Sequence, residues 1–447
     1  MNNKIKLSKY LTPIFETPMG TGSWFGYYNY DTLNQDQTKM LSNRTKNDAK
    51  EIEKGMSIEV GYYDIPSGEW HHIGTSDSYN WQQGCMAQWL PGDGNDNRVI
   101  YNTSDGKHNI AKIVNTDTLE EKIINWSIYG LTPDGKKSIS LLFERSHWCR
   151  AYHYESIADE KYNVRVAEDD GVFEIDLENN SRKRIVSIQD VINTDKEPYF
   201  DKAKHWLEHI MVSPGGKRFC FLHRFTIGTL DDYETRLFIA DIDGSNLQII
   251  DGWRDFYWSH FGWNGDDAFT IYSYISDKHN SVLNRIGAKS NSSDKKTIKI
   301  KQNLKFIYNI IPEGFKRRMK RVIKGPTTYY QYYKYENNSF VLVDNLTNIL
   351  FDIDGHPSFT KDMKYMITDS YPDNHLYRRL IVYNRDTKKA KLIGKLYAGL
   401  YNKPGKCDLH PKLCKNNNYL VVDTAYDGQH HMFLFKIDWD LVKGVIG

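Results

Sequence analysis

The sequence predicts an all-β fold, a seven-bladed β-propeller built from four-stranded antiparallel blades. Three observations predict it. A polar turn recurs seven times in one phase, a short strand-like run follows each turn, and helical periodicity is almost absent along the 447 residues. The turns are Gln35-Asp36-Gln37, Gly92-Asp93-Gly94, Pro133-Asp134-Gly135, Pro214-Gly215-Gly216, Asn264-Gly265-Asp266, Lys361-Asp362-Met363 and Lys415-Asn416-Asn417. The runs that follow, 39–43, 98–102, 138–142, 219–223, 269–273, 365–369 and 419–423, are mostly β-branched or aromatic, as strands prefer.

Outer hairpins complete each unit. They fall at 58–65, 109–114, 171–175, 236–242, 329–335, 379–383 and 432–437, with turns such as Pro66-Ser67-Gly68, Asp243-Gly244 and Asn337-Asn338. Such units bury their faces by packing radially, which leaves only short edges. Residues 1–447 therefore read as one propeller. Two ways of closing the ring stay open: the N-terminal segment joins the last blade, or residues 439–445 complete it. One stretch breaks the rhythm, a basic insertion at 277–325 within the fifth blade, centred on Lys316-Arg317-Arg318-Met319-Lys320-Arg321. It reads either as a solvated loop with a short helix opened at Pro312-Glu313, or as a basic lid over a polyanionic ligand.

Composition narrows the partners. With 59 Lys+Arg against 57 Asp+Glu there is no global field for a nucleic acid or an acidic membrane surface. No apolar run has the length of a signal peptide or a membrane span, so the expected location is the cytoplasm. Five cysteines in so long a chain suit reduced thiols, and Cys407 with Cys414 around His410 make only a weak zinc pattern. The 31 Tyr and 11 Trp suit strands and also suit stacking on sugar rings.

Aligning the blades on their turns places His209, His260, His356 and His410 at the start of the innermost strand of blades four to seven. Each is followed three residues later by an apolar residue, Val212, Trp263, Phe359 or Leu413, whereas blades two and three carry Met86 and Ile128 in the histidine position. First and second strands are antiparallel, so the end of each second strand lies at the same face. Those ends are Asn43, Asn102, His223, Ser273, Asp369 and Asp423, with Leu142 the exception. Imidazoles and carboxylates should meet in one funnel. Such a set suits a borderline divalent cation, Mn²⁺, Zn²⁺ or Fe²⁺; a ring of histidines hydrogen-bonded between blades is the alternative.

The last four blades resemble those of the oligogalacturonate lyase family. The likeness rests on His356-Pro357-Ser358-Phe359, on Asp408-Leu409-His410-Pro411, and on Asp423-Thr424-Ala425-Tyr426-Asp427-Gly428 followed by Met432-Phe433-Leu434-Phe435. It implies seven blades, a histidine-rich Mn²⁺ site, a general-base histidine and an arginine near the uronate. It assigns His260 and His410 as metal ligands and His223 as the base. The family's final motif has two histidines separated by one residue; here Asp408 stands in place of the first, an oxygen ligand. His356 and His209 join the metal set by their phase. A further resemblance, at Phe25-Gly26-Tyr27-Tyr28 and Trp81-Gln82-Gln83-Gly84-Cys85, is to propellers of surface-polysaccharide gene sets, and it moves the substrate away from pectin.

The chemistry so implied is β-elimination on an acidic, uronate-containing oligosaccharide. A bound cation, Mn²⁺ first, acidifies the C5 proton by neutralising the carboxylate, and an imidazole that titrates near neutral pH removes it. Arg145, Arg150 or Arg224 would bind the carboxylate bidentately, and Tyr152 or Tyr154 would donate to the leaving oxygen. The alternative function is a non-catalytic glycan- or protein-binding scaffold, since fold alone does not choose between them.

Overall fold

Each predicted turn reverses the chain through at least one residue in the left-handed region. These are Gln37, Gly94, Gly135, Gly216, Gly265, Met363 and Asn417, with φ between 58° and 78°. Glycine or asparagine adopts that conformation readily; Gln37 and Met363 do so against a side-chain cost. The computed structural model describes residues 3–148, 154–230, 233–274, 328–401 and 403–447. The insertion at 277–325 lies outside the described residues. Its flanks are the second and third strands of blade 5, Ala268–Tyr274 and Thr328–Glu336.

Seven antiparallel sheets of four strands follow one another around a ring. They span 23–76, 88–124, 130–187, 204–249, 257–346, 358–397 and 412–437, and are called blades 1 to 7 here. The chain closes the ring from its N-terminus. Leu11–Glu16 pairs with His431–Ile437 as the outermost strand of blade 7, and Ile5–Leu7 adds a fifth strand to blade 6. Residues 439–446 take no part in the sheet. Trp439–Ile446 is a helix, capped by Asp438, which accepts from the Leu441 N–H at 3.0 Å, and its Val442 and Ile446 are buried in the core of blades 6 and 7.

Polar ends of the second strands join neighbouring blades. Asn102 donates to the Ile128 carbonyl at 2.9 Å and accepts from its N–H at 2.8 Å, while Asp423 accepts from the N–H groups of Phe25 and Gly26 at 3.0 and 2.9 Å. Asp369 accepts from the N–H of His410 at 3.2 Å. These side chains satisfy backbone groups that the short inner strands leave unpaired, and so fix where the next inner strand begins. Among the described residues Cys85, Cys220, Cys407 and Cys414 are free and buried. No helix among them is long and apolar enough to cross a membrane.

Candidate metal centre

Two of the four in-phase histidines sit in β-bulges. In blade 4 the register jumps from Glu208↔Leu222 to Met211↔Cys220, and in blade 5 from Trp258↔Ser273 to Phe261↔Ile271. The extra residue re-aims the side chain, so His209 and His260 turn out of their ladders. His209 and His410 also have positive φ, 56° and 43°. For a non-glycine residue such backbone costs on the order of 1–3 kcal/mol, which the surrounding inter-blade bonds sustain.

The common phase brings the histidines together. The ring of His356 lies 4.0 Å from that of His260 and 4.3 Å from that of His410, centroid to centroid. One ligand atom each from His356, Asp408 and His410 falls within 4.8 Å of the others, and all three residues are buried. In every ring Nδ1 is already engaged. It is 2.8 Å from Asp369 Oδ1 in His356, 3.1 Å from Asp354 Oδ2 in His260 and 2.9 Å from the Gly26 carbonyl in His410. Carbonyl and carboxylate oxygens only accept, so each Nδ1 carries the proton and each Nε2 keeps its lone pair. That is the tautomer a metal ligand needs. Burial first, then the neighbouring imidazoles, hold His356 and His410 well below the usual imidazole range, so both are neutral near pH 7.

Asp408 completes the set as an anion. Burial alone would raise its carboxyl; the Arg378 guanidinium and then the Lys406 ammonium outweigh burial and hold it well below the usual carboxylate range. Arg378 pairs with Oδ1, and Lys406 Nζ lies 3.4 Å from Oδ2. Two imidazoles and a carboxylate, with His260 beside them, fit a divalent first-row ion. The two cations offset the carboxylate charge, so the affinity of the site rests mainly on the imidazoles.

His209 stands one ring away. Its Nδ1 is 2.5 Å from the Tyr27 hydroxyl, and Tyr27 lies 5.4 Å from His410 between ring centroids. Glu208 Oε2 is 3.5 Å from His209 Nε2 and 3.1 Å from Arg224 Nη1, which places Arg224 at the edge of the cluster. Tyr27 and Tyr28 fall in the Phe25-Gly26-Tyr27-Tyr28 motif, but the sequence does not place them at the histidine cluster. The inner strand of blade 1 pairs at Ser23–Trp24 and again at the Leu33↔Met40 bridge; between them the chain leaves the sheet and crosses the channel. Tyr28 reaches blade 5, where its hydroxyl donates to the Phe261 carbonyl at 2.6 Å. The surplus of residues between Trp24 and the first turn was the available signal.

Two solved structures share this architecture. One is an oligogalacturonate lyase in complex with manganese, with a TM-score of 0.60 at 14% identity, covering 98% of this chain and 96% of that one. The other is an oligogalacturonate lyase from Vibrio parahaemolyticus, with a TM-score of 0.57 at 14% identity, covering 95% and 93%. At this identity the likeness is one of fold. No protein-family model and no curated protein matches the sequence.

Other predicted site residues lie elsewhere. His223 does not end its strand, which runs on to Thr226, and it does not join the cluster. It is fully buried, stacks on His205 at 5.1 Å and shares a 2.9 Å hydrogen bond with it, with Phe200 and Phe225 alongside. A base needs access to substrate, and this ring has none. Arg145 also departs from its expected role: it is buried in blade 3, paired with Asp159 at 2.8 Å and Asp170 at 3.5 Å. Tyr154 donates to Gln83 at 2.7 Å. Arg150 and Tyr152 lie outside the described residues. Cys407 and Cys414 hydrogen-bond to the Asp408 carbonyl and to Asn416, away from any shared ligand position with His410.

The His205–His223 pair carries a prediction. Burial pushes His205 down to about 4 and His223 well below the usual value of 6.5. In the unfolded chain both protonate near 6.5, so that state binds more protons in the window below it. Stability is therefore full above about pH 6.5 and falls as pH drops towards 4, by up to about 1.4 kcal/mol per pH unit for each ring. Denaturant unfolding of His223→Phe is expected to show a shallower acid dependence than wild type. Equal slopes would place the acid sensitivity elsewhere.

Proposed function

We propose that this protein is a metal-assisted lyase that performs β-elimination on a uronic-acid-containing oligosaccharide. The observation that carries the reading is the buried group of His356, His410 and an ionised Asp408, whose ligand atoms lie within 4.8 Å of one another, with the His260 ring 4.0 Å from that of His356, in a propeller similar over nearly its whole length to a manganese-bound lyase. His356, His410 and Asp408 would hold the cation, with His260 adjacent, and when bound it supplies Lewis acidity towards a uronate carboxylate, which acidifies the neighbouring C–H.

The chain's own groups do the rest. His209, kept neutral by burial and then by Arg224 and the neighbouring imidazoles, accepts the proton through the Tyr27 hydroxyl bonded to its Nδ1. Glu208 faces its Nε2 and stabilises the imidazolium that forms. Tyr27 and Tyr28 cover one side of the cluster, so substrate approaches past the part-exposed His260, Tyr371 and Lys406. Lys406 places a cation at that entrance for the sugar carboxylate.

One observation favours a second reading, a non-catalytic glycan- or protein-binding scaffold. His209, His356 and His410 are each at most 4% exposed, and Tyr27 and Tyr28 are bonded across the channel. The two readings separate in one experiment. Protein stripped with chelator and reloaded with Mn²⁺, Zn²⁺ or Fe²⁺ is incubated with saturated uronate oligosaccharides, and the ultraviolet absorbance of the new C4–C5 double bond is followed. Metal-dependent product is expected, reduced by about 10²-fold or more in His209→Asn, asparagine being tolerated at its φ of 56°. Metal and saccharide bound with no unsaturated product would decide for the scaffold.

A further inference from the structure

We propose that a cleft beside the metal centre, between the connection of blades 1 and 2 and the loop leading into blade 7, is a second saccharide subsite. It would seat the sugar on the far side of the uronate from the bond that breaks, beyond the scissile pair itself, so the preferred ligand is an acidic oligosaccharide of three or more residues. The inference rests on the lyase reading for the identity of the first sugar only.

The cleft encloses about 420 Å³, within the roughly 300–1,000 Å³ of small-ligand sites, and Glu51, Trp81, Gln82, Lys403 and Lys406 line it. Trp81 is held as a platform. Its Nε1 donates to the Lys50 carbonyl at 2.9 Å, and its ring stacks on His430 at 4.9 Å with planes 9° apart. His430 in turn is fixed by Asp48, which takes both its N–H, at 2.8 Å, and its Nδ1. An aromatic ring so immobilised offers the apolar face of a sugar a partner at little entropic cost. Glu51 can accept from sugar hydroxyls, and the exposed Lys403 can meet a second uronate carboxylate.

Continuity with the metal centre runs through one residue. Lys406 lines the cleft, while its Nζ lies 3.4 Å from Asp408 Oδ2 and 4.3 Å from the centre of the Tyr371 ring. Its carbonyl accepts from Gln82 Nε2 at 2.6 Å, which ties the two walls of the cleft together. The cleft and the metal cluster thus share Lys406 as a common boundary.

Calorimetry on the full-length, Mn²⁺-loaded protein tests this with saturated uronate dimers and trimers. Wild type is expected to bind the trimer about tenfold more tightly than the dimer. Lys403→Ala and Trp81→Phe are expected to lose that increment while keeping dimer affinity and bound metal. Lys403 is exposed, so its variant tests the idea even if Trp81→Phe is poorly folded. An increment that survives in Lys403→Ala and in a folded Trp81→Phe overturns the proposal, as does a wild type that shows none. Product formation is scored separately. Elimination without a length increment would leave the lyase and reject the subsite; a Lys403-dependent increment without elimination would keep the subsite and reject the lyase.

Discussion

His356→Ala and His410→Asn are each expected to lower affinity for Mn²⁺ by more than about 100-fold, since loss of an outer hydrogen-bonding partner alone costs about 10–100-fold. Asparagine is the replacement at 410 because that residue has a φ of 43°, where alanine would be strained and asparagine is tolerated. Asp369→Asn should show the smaller, outer-shell effect, because its Oδ1 orients the His356 ring from 2.8 Å. Metal content after dialysis and titration calorimetry give the affinities, and thermal melting reports the fold. Wild-type affinity in both histidine variants would mean that the donor set is misassigned.

The second large effect concerns Arg378. It is 1% exposed and pairs with Asp408, itself 3% exposed, so removing the guanidinium leaves a carboxylate buried with Lys406 as its remaining cation. Breaking a buried pair from one side costs about 3–5 kcal/mol. Arg378→Met is therefore expected to lower the stability of the metal-free protein by about that amount in denaturant unfolding. Two further outcomes follow from the same electrostatics. Mn²⁺ should restore part of the loss, since a cation beside Asp408 replaces the one removed, and Asp408→Asn in the Arg378→Met background should restore part without metal. A metal-free Arg378→Met as stable as wild type would show that the pair contributes little to holding Asp408 in place.

Tyr27 and Tyr28 close one side of the histidine cluster. A site so closed must be entered from one side, and the half-buried rim of His260, Asp354, Tyr371 and Lys406 is the side that remains. The same rim adjoins the Trp81 cleft, so substrate length and metal binding become linked observables of one surface.

Features that depend on neighbours close along the chain are legible without the fold. A left-handed residue in each turn is a local requirement, met by Gly94, Gly135, Gly216, Gly265 and Asn417, and the period of those turns sets the number of blades. The same period carries His260, His356 and His410 to one place, because each inner strand starts at the same height in the ring. Periodicity fails where the backbone leaves it. The repeat phase predicts His223 at a strand end, but its strand continues three residues to Thr226, which leaves the ring stacked inside the blade on His205. Tyr27 and Tyr28 belong to an excursion from blade 1 that has no counterpart phase. Only the closed ring decided the rest. Arg378 meets Asp408 across two blades, Gly26 meets His410 across 384 residues, and Leu11–Glu16 meets the last blade across the whole chain. Contacts of that range are set by how the blades pack around the axis, which no local pattern of turns and alternation encodes.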